Sequence, residues 1–151
     1  SLVKNWNLKN GFDHVSFNIY ISTDEERGSS VMPLQNGKLK DGMSWNYMAF
    51  ITGWENRIYS SRGADEKNWG TIEAVSSKIE VNYEKNSIEL KLPGYIFEDK
   101  KRYKIYITTW DYDGLENSYR KIENEPKEYI FGGGDKESVL VMDETDVIEV
   151  R

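Results

Sequence analysis

The chain has no cysteine and only one histidine, His14, among its 151 residues. The first absence excludes disulfides, thiol nucleophiles and cysteine-ligated zinc. The second leaves a Ser-His-Asp arrangement with one candidate base, and no Gly-x-Ser-x-Gly elbow supports it. Positive charge is also short: 20 Lys and Arg against 26 Asp and Glu give a net charge of -6. A phosphate backbone needs clustered cations to release its counterions, so nucleic acid is not an expected partner. No apolar run approaches the roughly 20 residues that span a bilayer, so no transmembrane segment is expected. No charged-then-apolar leader opens the chain either, and a signal for export would lie outside this stretch. Sustained helical periodicity is missing as well, and residues 71–77 are the best helical candidate.

What is present is aromatic. Hydrophobic residues make up 38% of the chain and aromatics 13%, so the apolar content is concentrated in large rings. Val15, Phe17, Ile19 and Ile21 alternate with mostly polar neighbours over residues 14–22, the pattern of a half-buried strand. Residues 24–42 are rich in Gly, Ser and charge and read as a long connection. Residues 45–52 are apolar at both parities, which predicts a central strand covered on both faces. A short strand is expected near 57–60. Two alternating runs, 78–83 and 87–92, are separated by Glu84-Lys85-Asn86 and form a predicted hairpin. The longest strand candidate is 102–110, with Tyr103, Ile105, Ile107 and Thr109 on one side and Lys104, Tyr106, Thr108 and Trp110 on the other. Short β-rich runs follow at 128–131, 139–142 and 147–150. Eight or more strands joined by long loops predict one all-β domain over 1–151, an antiparallel β-sandwich.

The segment TTWDYDGLENSYRKIENEPKEYIFGGGD, residues 108–135, concentrates carboxylates, rings, one arginine and three glycines. Paired carboxylates suffice for glycoside hydrolysis, but with 26 acidic residues such pairs arise by chance. Gly132-Gly133-Gly134 fits neither phosphate-loop pattern, and a sharp bend or close backbone approach explains it better. Asp111-Tyr-Asp-Gly offers hard oxygen ligands, so Asp111, Asp113 and Asp135 are the candidates for a Ca²⁺ site outside the EF-hand pattern. A solvated turn at Asp113-Gly114 is the competing account. Trp45 fits a core strand, whereas Trp54, Trp69 and Trp110 fall at strand ends or in loops. Rings there suit the apolar face of a sugar, with Tyr112 beside them; each can equally cap the core. Arg120 can clamp a ligand carboxylate or pair with a neighbouring acid, and the acidic surroundings favour the internal pair.

The motifs Thr109-Trp-Asp-Tyr-Asp-Gly114, Tyr119-Arg120, Glu125-Pro126, Phe131-Gly-Gly-Gly-Asp135 and Asp143 together resemble the C-terminal module of glucodextranase, also found in amylopullulanase-type proteins. The likeness extends upstream through Trp6, Trp45-Asn-Tyr47 and Thr52-Gly-Trp54, over nearly the whole chain. It implies a DOMON-like, carbohydrate-binding-module-like β-sandwich with no catalysis of its own, carried by an extracellular or cell-surface protein. The resemblance implies a carbohydrate-binding accessory role, with an oligosaccharide or polysaccharide, an α-glucan by expectation, stacked on Trp54, Trp69, Trp110 and Tyr112 beside Arg120. The alternative is a structural or cell-surface interaction domain docked onto an attached catalytic domain.

Overall fold

The pattern of strict alternation in the sequence becomes a seven-stranded sheet in a computed structural model that describes residues 8–13, 15–113, 116 and 118–151. In chain order its strands and those of the smaller sheets are β1 (Ser16–Ser22), β2 (Val31–Met32), β3 (Gly37–Lys38), β4 (Tyr47–Ile51), β5 (Asn56–Ser60), β6 (Thr71–Ile72), β7 (Lys78–Asn82), β8 (Ser87–Lys91), β9 (Tyr103–Trp110), β10 (Tyr112–Asp113), β11 (Ser118–Tyr119), β12 (Lys121–Ile122), β13 (Ile130–Phe131), β14 (Asp143–Glu144) and β15 (Ile148–Val150). The main sheet runs β14-β9-β1-β4-β5-β6, with β15 also on β9. Its pairs are antiparallel. Four two-stranded pieces surround it, of which only β12–β13 is parallel.

Register divides the core in two. Tyr20 faces Met48 on one side and Tyr106 on the other, while Ile19 faces Ala49 and Ile107. Because successive side chains point to opposite faces, Tyr20, Met48, Phe50, Tyr59, Tyr106 and Trp110 gather on one face of the sheet. Ile19, Ile21, Ala49, Ile51 and Ile58 gather on the other. The predicted 78–92 hairpin covers this second face through Ile79, Val81, Ile88 and Leu90, as the second layer of an all-β fold.

Three expectations need correction. The first strand is buried on both faces, not one: Ser16, Asn18 and Tyr20 are as enclosed as its aliphatic side. Ser16, Asn18 and Tyr20 each make a side-chain hydrogen bond that offsets part of this cost, while Asn18 Nδ2 and Ser22 Oγ are enclosed without a partner among the described residues. Ser16 Oγ donates to the Trp110 carbonyl at 2.8 Å, the Tyr119 hydroxyl donates to Asn18 Oδ1, and the Tyr20 hydroxyl donates to Gln35 Oε1 at 2.6 Å. Gln35 belongs to the 24–42 connection, which therefore contributes to the core along with Met32 and Leu39. Residues 71–77 are not helical: Thr71–Ile72 form the short edge strand β6, the rest is irregular, and no α-helix occurs among the described residues. Ile72 and Val75 remain exposed, so a helix there would bury no apolar face and gain no packing to offset nucleation. Residues 139–142 are likewise not a strand. Leu140 instead turns inward, where its carbonyl accepts from Gln35 Nε2 at 2.7 Å and its amide donates to the Gln35 carbonyl at 2.9 Å.

Candidate functional site

β9 delivers the chain into the 108–135 segment at Trp110. The position shares parity with Tyr106 and Thr108, so its ring enters the first cluster and is 7% exposed. Its Nε1 donates to the Arg120 carbonyl at 2.8 Å, and its ring meets Phe131 edge-on at 5.5 Å. Trp110 is thus a core residue with no open face for a sugar, and the platform expected there is withdrawn. The alternation quoted for 102–110 already carried that signal.

Arg120 is held internally. Its Nε lies 2.6 Å from Asp111 Oδ2, its amide donates to the Asp111 carbonyl at 3.1 Å, and its guanidinium sits over the rings of Tyr129 and Phe131 at 5.5 and 6.0 Å. Asp111 is therefore neutralised by a neighbour. Asp113 accepts the Glu116 amide, and Asp135 accepts the Glu137 amide and the Ser138 hydroxyl of its own turn. The three aspartates are not gathered together, and among the described residues no group of three or more His, Asp or Glu side chains is placed to hold a metal ion. The glycines close the loop as a bend: a Cβ at Gly132 would lie 2.8 Å from the Pro126 nitrogen, one at Gly134 would lie 2.5 Å from Ile122 Cγ2, and Gly133 has φ +89°.

Trp69 and Tyr112, distant in sequence, do meet. Both rest on the Phe50 ring of β4, at 4.7 and 5.1 Å, and both are half-buried. Tyr59 stacks on Trp69 at 5.5 Å and 15°, and Tyr119 closes the group against Trp69 and Tyr112 at 5.5 and 5.8 Å. The polar margin comes from the start of β5, where Arg57 Nε lies 2.7 Å from Glu55 Oε2 with both side chains partly exposed. Burial pushes the Tyr112 phenol up to about 12, and the nearby Glu55 charge adds to the rise. As for any tyrosine, the phenol is neutral at pH 7 and its hydroxyl can donate as well as accept. Phe50, Glu55, Arg57 and Tyr59 are not among the site residues expected from the sequence. For Arg57 and Tyr59 the parity of the short predicted strand held the missing signal.

Trp54 stands apart. It is 56% exposed on a turn fixed by Thr52 Oγ1, which accepts the Trp54 and Glu55 amides at 3.1 and 2.9 Å. Trp6 and His14 lie outside the described residues.

The all-β body thus carries partly exposed rings bordered by an ion pair. A family model described as the C-terminal binding-module, SLH-like, of glucodextranase matches residues 1–150. The chain belongs to that family. No curated protein and no solved structure matches it significantly. The glucodextranase C-terminal module is a binding module, so this member of the family is non-catalytic. No helix among its described residues is long and apolar enough to cross a membrane.

Proposed function

We propose that this module binds glycan, an α-glucan by preference, at the ring group built on Phe50. The carrying observation is that Trp69 and Tyr112 share one buried ring as their base and keep part of their own surface in water. Rings fixed from below offer a sugar's C–H face a surface that loses little freedom on binding. Arg57, Glu55 and the Tyr112 hydroxyl lie at the edge, where sugar hydroxyls would need donors and acceptors. Trp54 supplies a further ring on its fixed turn. Trp110 and Arg120, both held internally, are not among the contacts. The family description favours a secreted or cell-surface protein in which the module accompanies a catalytic domain.

Affinity in the micromolar to millimolar range, about -8 to -4 kcal/mol, suits a shallow ring surface of this kind. Calorimetric titration with malto-, isomalto-, xylo- and cello-oligosaccharides tests the reading. Saturable heat with an α-glucan, lost in Trp69→Ala with the fold intact, is the expected result. Silence across the panel would overturn it and leave docking onto a partner domain as the module's role.

A further inference from the structure

A second cleft, of ≈ 500 Å³, opens at the end of the sheet where β1 finishes, β4 begins and β5 ends. Tyr47, on its wall, packs with the second cluster, so this cleft lies off the opposite face of the sheet from Trp69. Its size falls within the range of small-ligand sites, roughly 300–1,000 Å³. Tyr47 and Tyr95 meet there edge-to-face, with ring centres 6.0 Å apart at 79°. Tyr95 is 38% exposed on a 3-10 turn (Gly94–Phe97). A ring pair at right angles gives a wall and a ledge, a shape that fits a pyranose.

The charges around it are unequal in their pairing. The carboxylates have partners: Asp24 faces Arg27 at 3.7 Å, and Glu73 Oε2 accepts the Tyr95 hydroxyl at 3.4 Å. Arg62 and Lys100 also line the cleft, and neither has an ion-pair partner among the described residues. The floor is ordered, because Asn46 Oδ1 accepts the Thr23 and Asp24 amides at 2.7 and 2.8 Å while its Nδ2 donates to the Asp24 carbonyl at 2.9 Å. A protein with a net charge of -6 here keeps two cations uncompensated beside a tyrosine ledge.

We infer that this cleft is a second saccharide site, selective for a sugar bearing a carboxylate, with Tyr95 under the ring and Arg62 and Lys100 on the acid group. Arg62 offers the planar fork that pairs with a carboxylate through two parallel hydrogen bonds, and Lys100 adds a point charge. The site is separate from the one built on Phe50, and either can fail alone.

The test titrates the whole chain with an oligosaccharide of glucuronic acid and with its neutral glucose counterpart of the same linkage, by calorimetry at low salt. The acidic sugar is expected to bind at least about tenfold more tightly than the neutral one. Arg62→Gln and Tyr95→Ala each remove most of that binding, whereas Trp69→Ala leaves it in place. Both variants alter exposed side chains, and an unchanged melting temperature confirms that they fold. Equal binding of the two sugars, no binding of the acidic one, or binding indifferent to Arg62→Gln and Tyr95→Ala would each overturn the assignment. Loss of acidic-sugar binding in Trp69→Ala would place it at the Phe50 site and overturn it as well.

Discussion

Arg120 and Asp111 hold each other at 2.6 Å between the end of β9 and the start of β12, both side chains mostly out of solvent. The pair closes a loop that also contains the Trp110 indole bond to the Arg120 carbonyl. Geometry of this kind fixes the loop between β9 and β12. Arg120 has its carboxylate already and has none of its charge to spare for a sugar.

Replacing Arg120 by Met should therefore register in stability before it registers in binding. It leaves Asp111 half-enclosed without its partner and removes the cation from above Tyr129 and Phe131. A cost of about 2–3 kcal/mol is expected, in line with loss of a charge-assisted hydrogen bond at a partly buried site. Urea unfolding measures it. If the midpoint is unchanged while sugar affinity collapses, Arg120 is a ligand contact after all.

The two exposed-looking tryptophans should separate cleanly. Trp54 touches mostly water, so Trp54→Ala is expected to move stability by no more than about 0.5 kcal/mol. Trp69 lies against Phe50, Tyr59 and Tyr119, and Trp69→Ala should cost about 2 kcal/mol, less than the 3–5 typical of a fully buried ring. Thermal melts of the two variants compare them. In Trp69→Phe, which retains a ring, most of that loss should be recovered.

Much of the sheet was legible in the sequence because period-2 alternation survives along β1 and β9, and because β4 is apolar at both parities, as a central strand covered on both faces must be. The 78–92 hairpin was legible from its alternation too. Segments whose conformation is imposed from outside were not: 71–77 looks weakly helical, yet Thr71 and Ile72 pair with the edge of β5, and 139–142 looks like a strand, yet Gln35 captures Leu140. The site was half legible. Trp69 and Tyr112 could be named as surface rings, but their common base on Phe50 depends on a contact across more than one strand, which no local pattern encodes. The aspartates misled because carboxylate spacing says nothing about which of them a neighbouring arginine or backbone amide has already taken.

The triglycine bend makes a steric prediction. At Gly134 a methyl group would press on Ile122 Cγ2 and Ser138 Oγ, the latter at 2.7 Å, and at Gly133 it would sit on a backbone with φ +89°. Gly134→Ala should cost about 1–3 kcal/mol through overpacking, and Gly133→Ala about 1–2 kcal/mol through the left-handed backbone. Circular dichroism melts of both variants check this. Melting points equal to that of the parent would mean the loop relaxes freely.

The last prediction concerns the carboxyl-terminal strands. The Tyr106 hydroxyl donates to Glu144 Oε2, and Lys40 Nζ lies 2.9 Å from the other carboxylate oxygen. The Tyr106 bond first and Lys40 second hold the Glu144 carboxyl below its ordinary value of 4.5, while burial opposes them. A carboxylate depressed in the folded state adds stability at pH above its unfolded value, and that stability disappears as the pH falls through the folded value. Acidification from about pH 5 downward should accordingly loosen β14 from β9. The side chain is 44% exposed, so solvent screens the effect and it is a fraction of the module's total acid sensitivity. Tyr106→Phe removes the first cause and should narrow the difference in melting temperature between pH 7 and pH 3. An unchanged difference would show that Glu144 titrates alike in both states and that the β14 contact rests on its backbone pairing with Thr108 and Thr109 alone.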